Sequence, residues 1–174
     1  QEVLSFLHSA DHLIINVEGP LSKQDKVKRE NGVVALTHSM DPAATSFFQK
    51  IGADVWNICN NHIMDAGPDG MADTLTEALK CHVKTLGAGM NIREAVRPVI
   101  FSEAGGIGMI GVGYQRACRK ATDEIPGCFS WSDMDLIQEA IHEIKKTCRW
   151  CIVVAHGGEE FTALPSPYTR QRYM

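Results

Sequence analysis

Short apolar runs alternate along the chain with longer segments in which apolar residues recur at helical spacing. The runs 12–17, 53–59 and 151–155 are almost free of charged side chains and are typical of buried strands. Segments between them, such as 41–51 and 132–147, place apolar residues three or four positions apart, which predicts helices that bury one face. Strands that alternate with helices in this way predict an α/β fold.

Two of the predicted helices carry specific expectations. Segment 41–51 begins with Asp41 as N-cap and Pro42 as the first helical residue, and its pattern turns Phe47 and Phe48 inward. The helix that runs to about residue 147 is expected to begin at Ser132 as N-cap and to bury Met134, Ile137, Ile141 and Ile144.

Three of the apolar runs end abruptly in polar residues. Glu18 follows the first run, Asn60, Asn61 and His62 follow the second, and His156 follows the third. Side chains beyond the carboxyl ends of parallel strands project into a crevice that helices leave open, so these tips are expected to line one cleft. For any single one of these positions, the alternative is an ordinary turn in which the polar side chain is simply exposed to solvent. Carboxylate, amide and imidazole groups together suit a divalent metal of intermediate hardness: manganese, iron or zinc.

Two further motifs lack the context that their usual functions require. Residues 106–111 match the pattern G-x-G-x-x-G, but the glycines fall within a predicted strand and no helix opens at its end, which argues against a nicotinamide cofactor. Residues 148–151 form a lone C-x-x-C after a helix carboxyl end, whereas redox pairs lie at a helix amino end. Cys59 in a core strand and Cys81 near a helix end occupy positions of ordinary apolar residues. The six cysteines are therefore expected to be free thiols.

Composition limits the class of protein. The 174 residues suit one domain over 1–174, with 44% hydrophobic and 22% charged residues. A net charge of −4 without a basic stripe gives no support for a nucleic-acid partner. No apolar run reaches the roughly 20 residues that span a bilayer. A cytoplasmic location is favoured, and membrane association is the alternative if an amino-terminal anchor has been removed.

Four motifs, in order along the chain, resemble the capsule-synthesis (CapA, poly-γ-glutamate) family, a branch of the calcineurin-like metallophosphatases. They lie at 16–21, 60–75, 87–98 and 156–161. The resemblance covers nearly the whole chain and implies an α/β metallophosphatase-like layered β-sheet core flanked by helices. The family's opening Gly-Asp strand and its His-x-His segment have no counterpart in the chain, so the resemblance implies a partial domain that holds metal weakly or not at all.

The resemblance also implies roles for individual residues. Glu18, Asn61 and His156 are expected to be ligands of a binuclear centre of divalent metal ions. His62 is expected to contact the phosphoryl group or to protonate the leaving oxygen, and Asp65 to orient His62 by accepting its other ring N–H. The expected substrate-contacting or supporting residues are Asn16, Asn60 and Glu160.

The function that the resemblance implies is a metal-dependent, phosphoesterase-like hydrolase in capsule or poly-γ-glutamate biosynthesis. Its expected substrate is an anionic polymer or a phosphoester. The alternative is a non-catalytic domain of the same fold that binds polymer or organises a complex with other capsule-synthesis proteins.

Overall fold

A computed structural model describes residues 2–23, 29–30, 33–34, 37–114, 117–159 and 162–172. The helices among these residues are α1 (Glu2–Leu7), α2 (Thr45–Lys50), α3 (Gly67–Lys80), α4 (Ile92–Ala95), α5 (Met134–Thr147) and α6 (Pro167–Arg172). The strands are β1 (Ile14–Asn16), β2 (Arg29–Glu30), β3 (Val33–Val34), β4 (Val55–Asn57), β5 (Lys84–Leu86), β6 (Ala88–Gly89), β7 (Val99–Phe101), β8 (Ile107–Gly113), β9 (Gly127–Cys128) and β10 (Trp150–His156).

The first sheet is parallel, with β4 between β1 and β5. Val55 and Trp56 of β4 are fully buried, as expected of a central strand covered on both faces. Because β1 and β4 pair in register from Ile14 opposite Val55 to Asn16 opposite Asn57, their carboxyl ends lie side by side. This register places the residues that follow the two strands at one edge of the sheet.

The second sheet has β8 at its centre, parallel to β10 and antiparallel to β7. Val55 and Leu86 of the first sheet form a buried cluster with Val99 and Met109 of the second. A Cβ atom on Gly87 would lie only 2.7 Å from the Cα atom of Gly111, so the backbones meet where neither residue has a side chain.

Helices cover the outer faces of both sheets. On the first sheet, Met71 and Ala78 of α3 share a buried cluster with Trp56. On the second, Ile144 of α5 packs over Gly108, where a Cβ would lie 2.3 Å from its Cγ2 atom. The arrangement is helix, sheet, sheet, helix, and it confirms the α/β, metallophosphatase-like layered class that the sequence predicted.

In the glycine-rich stretch 106–111, Gly106 immediately precedes β8, and Gly108 and Gly111 lie within that strand, as expected. Its glycines serve close packing: Gly108 receives Ile144 and Gly111 faces Gly87. Among the described residues, no helix is both long enough and apolar enough to cross a bilayer.

Several predicted boundaries need correction. Segment 41–51 begins as a 3₁₀ turn, Pro42–Ala44, in which Asp41 accepts a hydrogen bond from the backbone N of Ala43 at 2.8 Å, and only then becomes α2. The expectation that Phe47 is buried is wrong, since it is 59% exposed, whereas Phe48 packs edge-on against Trp56 at 5.5 Å. Adjacent residues of a helix point about 100° apart, so one short helix does not bury both.

The N-cap prediction for α5 is also wrong. The helix begins at Met134 after Asp133, and the Oγ of Ser132 lies 2.9 Å from that of Ser130 instead of capping the helix. Met134 is 40% exposed, so the buried stripe of the helix starts with Ile137.

Candidate metal centre

Polar residues that follow β1, β4 and β10 meet at one edge of the two sheets. Glu18 lies two residues beyond β1, His62 lies in the turn beyond β4, and one donor atom of each falls within 4.8 Å of the other. His156 is the last residue of β10. Its Nε2 lies 2.9 Å from Oδ1 of Asn61, which places the tip of the second sheet beside that of the first.

His62 is held by Asp65, three residues further along the same turn. Nδ1 of His62 lies 2.8 Å from Oδ2 of Asp65, and both side chains are less than one-fifth exposed. The same carboxylate oxygen accepts a hydrogen bond from the backbone N of His38 at 2.7 Å. With Nδ1 engaged by a carboxylate, Nε2 is the ring nitrogen of His62 that remains for other contacts.

Asn61 and His156 form the second contact of the cleft. Oδ1 of Asn61 lies 2.9 Å from Nε2 of His156. Burial lowers the pKa of His156, and the positive charge of a protonated His62 lowers it further, whereas the negative charge of Glu18 acts in the opposite direction. The lowered pKa favours the neutral imidazole near pH 7, which is the form that binds metal ions.

Asn60 differs from Asn61 because its side-chain amide is buried and hydrogen-bonds to backbone groups of the protein. It is 0% exposed, and its Nδ2 donates to the carbonyl of Val17 at 2.8 Å. Its Oδ1 accepts from the backbone N of His62 at 3.1 Å and from that of Gly19 at 3.4 Å. Asn60 therefore ties the two strand tips together and offers no atom to a substrate.

Asn16 supports Glu18. Its Nδ2 donates to Oε2 of Glu18 at 3.0 Å, and its Oδ1 lies 3.5 Å from Nδ2 of Asn57. Glu160, the remaining residue of the predicted site, lies outside the described residues. Its neighbour Glu159 accepts hydrogen bonds from Ser166 and Thr169.

His38 lies in the cleft although sequence reasoning did not identify it. Its ring stacks on that of His62, with centroids 3.7 Å apart and an interplanar angle of 28°. It also offers a donor atom within 4.8 Å of those of both Glu18 and His62. The preceding described strand, β3, pairs with β2 in a separate small sheet, so His38 does not lie at the end of a strand of the two main sheets.

Contacts between separate loops bring His38 to this place. The backbone N of Met40 donates to the carbonyl of Pro20 at 2.9 Å, and the backbone N of Ser22 donates to the carbonyl of Met40 at 3.0 Å. Gly19 adopts φ +100°, and a Cβ there would lie 3.0 Å from the Cβ of His38. Glycine thus permits the close approach, and Gly19-Pro20 is the only local sign of it in the sequence.

Three buried cysteines lie behind the cleft. Cys128 Sγ is 3.4 Å from the carbonyl of Asn60, and Cys59 Sγ is 3.7 Å from that of Phe129. A thiol–thiol hydrogen bond with Cys128 and burial raise the pKa of Cys118. For Cys128 the bond to Cys118 lowers the pKa, but contact with Cys59 and burial outweigh it. All six cysteines of the chain are free thiols, as the sequence predicted.

The residues of the cleft fit a divalent cation of the manganese, iron and zinc type. Imidazole nitrogens, an amide oxygen and a carboxylate form a mixed donor set that such ions accept. Asn61 Oδ1 and His156 Nε2 lie at a hydrogen-bond distance of 2.9 Å, so both atoms are close enough to contact one ion.

Comparison with known proteins gives concordant matches. A profile of the family described as "Bacterial capsule synthesis protein PGA_cap" matches residues 1–173. The PGA biosynthesis protein CapA of Bacillus subtilis (strain 168) is 26% identical over 174 residues, covering 98% of this chain and 45% of the relative. The capsule biosynthesis protein CapA of Bacillus anthracis is 26% identical over 173 residues, covering 96% of this chain and 42% of the relative. The chain thus spans less than half the length of these two relatives. Because the family profile matches nearly every residue, the chain belongs to the bacterial capsule synthesis family PGA_cap.

Proposed function

We propose that this protein is a metal-dependent hydrolase that cleaves a phosphoester or a related bond in an anionic substrate during capsule or poly-γ-glutamate synthesis. The observation that carries the proposal is the His62–Asp65 pair, 2.8 Å apart, beside the donor atoms of Glu18. A carboxylate-oriented imidazole next to a group of metal-type donors suits proton transfer during hydrolysis. The names of the two relatives, which refer to PGA and capsule biosynthesis, support the biosynthetic setting.

The metal ligands in this proposal are Glu18, Asn61 and His156. Asn16 orients the Glu18 carboxylate through its 3.0 Å hydrogen bond. The 2.9 Å contact between Asn61 and His156 holds these two donors side by side before any ion arrives. Bound divalent metal would supply positive charge to the phosphoryl oxygens and lower the pKa of a bound water.

The proposed part of His62 is to contact the phosphoryl group and to move a proton. Asp65 accepts the Nδ1 hydrogen and fixes the tautomer, so that Nε2 faces the substrate. Asp65 is itself held by the backbone N of His38 at 2.7 Å. Asn60 stabilises the same turn because its Oδ1 accepts a hydrogen bond from the backbone N of His62. His62 is thus held in place through both its ring and its backbone.

The test compares metal content with turnover in the full protein. His62→Asn is expected to keep most of the metal, because His62 is not one of the three ligands, and to lower turnover about 10²- to 10⁴-fold, the usual worth of a general acid or base. Elemental analysis and a phosphomonoester and phosphodiester panel with manganese provide the two measurements. His142→Asn, at an exposed position of α5, is the matched control.

The outcome also separates the hydrolase from a polymer-binding or scaffolding domain that contacts other capsule-synthesis proteins. Such a domain would show no metal-dependent turnover in the wild type, and its polymer binding would survive His62→Asn. A wild type that is inactive on the whole panel with its metal sites filled would contradict the proposal.

A further inference from the structure

Glu18, His38 and His62 form a compact group of donors, of which only Glu18 is among the ligands named in the proposed function. One donor atom of each residue lies within 4.8 Å of the other two. Two imidazoles and a carboxylate form a set that holds zinc in proteins and leaves a coordination position open. We propose that these three residues bind a zinc ion at a second site, distinct from the Asn61–His156 pair.

One carboxylate organises both histidines of this site. Oδ2 of Asp65 contacts Nδ1 of His62 at 2.8 Å and accepts from the backbone N of His38 at 2.7 Å. A carboxylate on the far ring nitrogen is the usual support of a metal-bound histidine, because it fixes the tautomer and raises the basicity of the other nitrogen. Nε2 of His62 is therefore the atom presented to zinc.

The segment that carries His38 is fixed before zinc binds. Met40 and Ser22 hold it through two backbone hydrogen bonds of 2.9 and 3.0 Å. Gly19 gives it room next to Glu18, at a place where any Cβ would press on His38. Folding thus brings the three donors within 4.8 Å of one another, and their side chains have to rotate to contact one zinc ion.

Zinc at this site has a consequence for the reaction. It occupies Nε2 of His62, the same nitrogen that the proposed function assigns to the phosphoryl group, so filling the site inhibits turnover. This consequence rests on the proposed function, whereas zinc binding through His38 does not. The site would therefore make the enzyme sensitive to zinc while it works with manganese.

Variants at His38 separate a donor role from a stacking role. His38→Phe keeps a ring against His62 but has no donor, and His38→Cys restores a donor without the ring. Zinc affinity of the manganese-loaded full protein is measured by competition with a chromophoric chelator, since zinc binds nitrogen donors more tightly than manganese does. We expect zinc binding to weaken at least about tenfold in His38→Phe and to recover in His38→Cys.

The control is His142→Phe, which removes an exposed histidine of α5 and is expected to bind zinc like the wild type. Wild-type affinity in His38→Phe, or affinity that is lost in His38→Cys and kept in His38→Phe, would overturn the proposal. Equal weakening in His142→Phe would do the same, because it would indicate binding at the surface.

A measurement on the wild type does not depend on how the variants fold. Zinc is expected to slow the modification of His38 and His62 by diethylpyrocarbonate, read by mass spectrometry, and to leave His142 unaffected. Unchanged modification of His38 at saturating zinc would overturn the site. Protection of His38 by zinc in a protein that shows no turnover with manganese alone would uphold the zinc site and contradict the hydrolase.

Discussion

Oδ1 of Asn61 and Nε2 of His156 lie 2.9 Å apart although 95 positions separate them in the sequence. Asn61 follows β4 of the first sheet and His156 ends β10 of the second, so this contact joins the two sheets at the cleft. In the proposed function the same two atoms face one cation. Because Oδ1 is an acceptor, Nε2 carries the hydrogen in this contact, and a bound cation would take the place of that hydrogen.

The first prediction concerns this pair as metal ligands. Asn61→Ala and His156→Ala are each expected to lower metal occupancy and turnover together, and the double variant to lose less than the sum of the two losses, because both residues serve one ion. Elemental analysis and turnover of the full protein are the measurements. Additive losses, or full metal content in His156→Ala, would argue that the two residues do not share a cation.

A second prediction distinguishes Asn60 from Asn61. Asn60→Ala leaves the buried carbonyl of Val17 and the backbone N of His62 without their partner, which is expected to lower the free energy of unfolding by about 1–3 kcal/mol. Asn61→Ala, in a partly exposed position, is expected to cost at most about 1 kcal/mol in metal-free protein. Urea unfolding measures both. Equal stability of the two variants would contradict the bracing role of Asn60.

A third prediction concerns the orientation of His62. Asp65→Asn keeps the shape of the side chain but removes the carboxylate that accepts from Nδ1, so turnover is expected to fall about 10- to 100-fold. Metal bound through Asn61 and His156 is expected to stay. The tautomer of His62, read from ¹⁵N chemical shifts, should change in parallel. Asp135→Asn at the exposed start of α5 is the control, and wild-type turnover in Asp65→Asn would exclude the orienting role.

The cysteines provide a fourth prediction. Denatured protein without reductant should titrate six free thiols. In the native protein, burial and a raised pKa keep Cys118 and Cys128 in the unreactive thiol form, so alkylation by iodoacetamide should reach Cys81 well before them. Mass spectrometry of the labelled peptides gives the order. A total below six, or early labelling of Cys128, would contradict it.

The sequence was most informative where the relevant signal is local. An apolar run that stops at polar residues is visible within a few positions, which is why Glu18, His62 and His156 were identified together. His38 was not, because its place depends on hydrogen bonds between residues 20–22 and 40 that no periodicity records.

Adjacent residues of the same type mark a second limit of the sequence. Asn60 and Asn61 have the same chemistry, and only the turn that follows β4 decides that one is buried and the other reaches the cleft. Phe47 and Phe48 pose the same question in α2, where the first is exposed and the second packs on Trp56. In both pairs the direction of a side chain depends on the local backbone path and on tertiary packing.

Gly87 and Gly111 form a point of close approach between the two sheets whose ends line the cleft. A Cβ on Gly111 would lie 2.9 Å from the Cα of Gly87 and 3.0 Å from Oδ1 of Asn57. A methyl group there would push the two sheets apart, and this displacement would extend to the ends of their strands. Gly111→Ala would therefore part His156 from Asn61 and weaken metal binding in a protein whose secondary structure is otherwise preserved. The close approach of the two sheets that carry the proposed metal ligands thus depends on two residues that have no side chain.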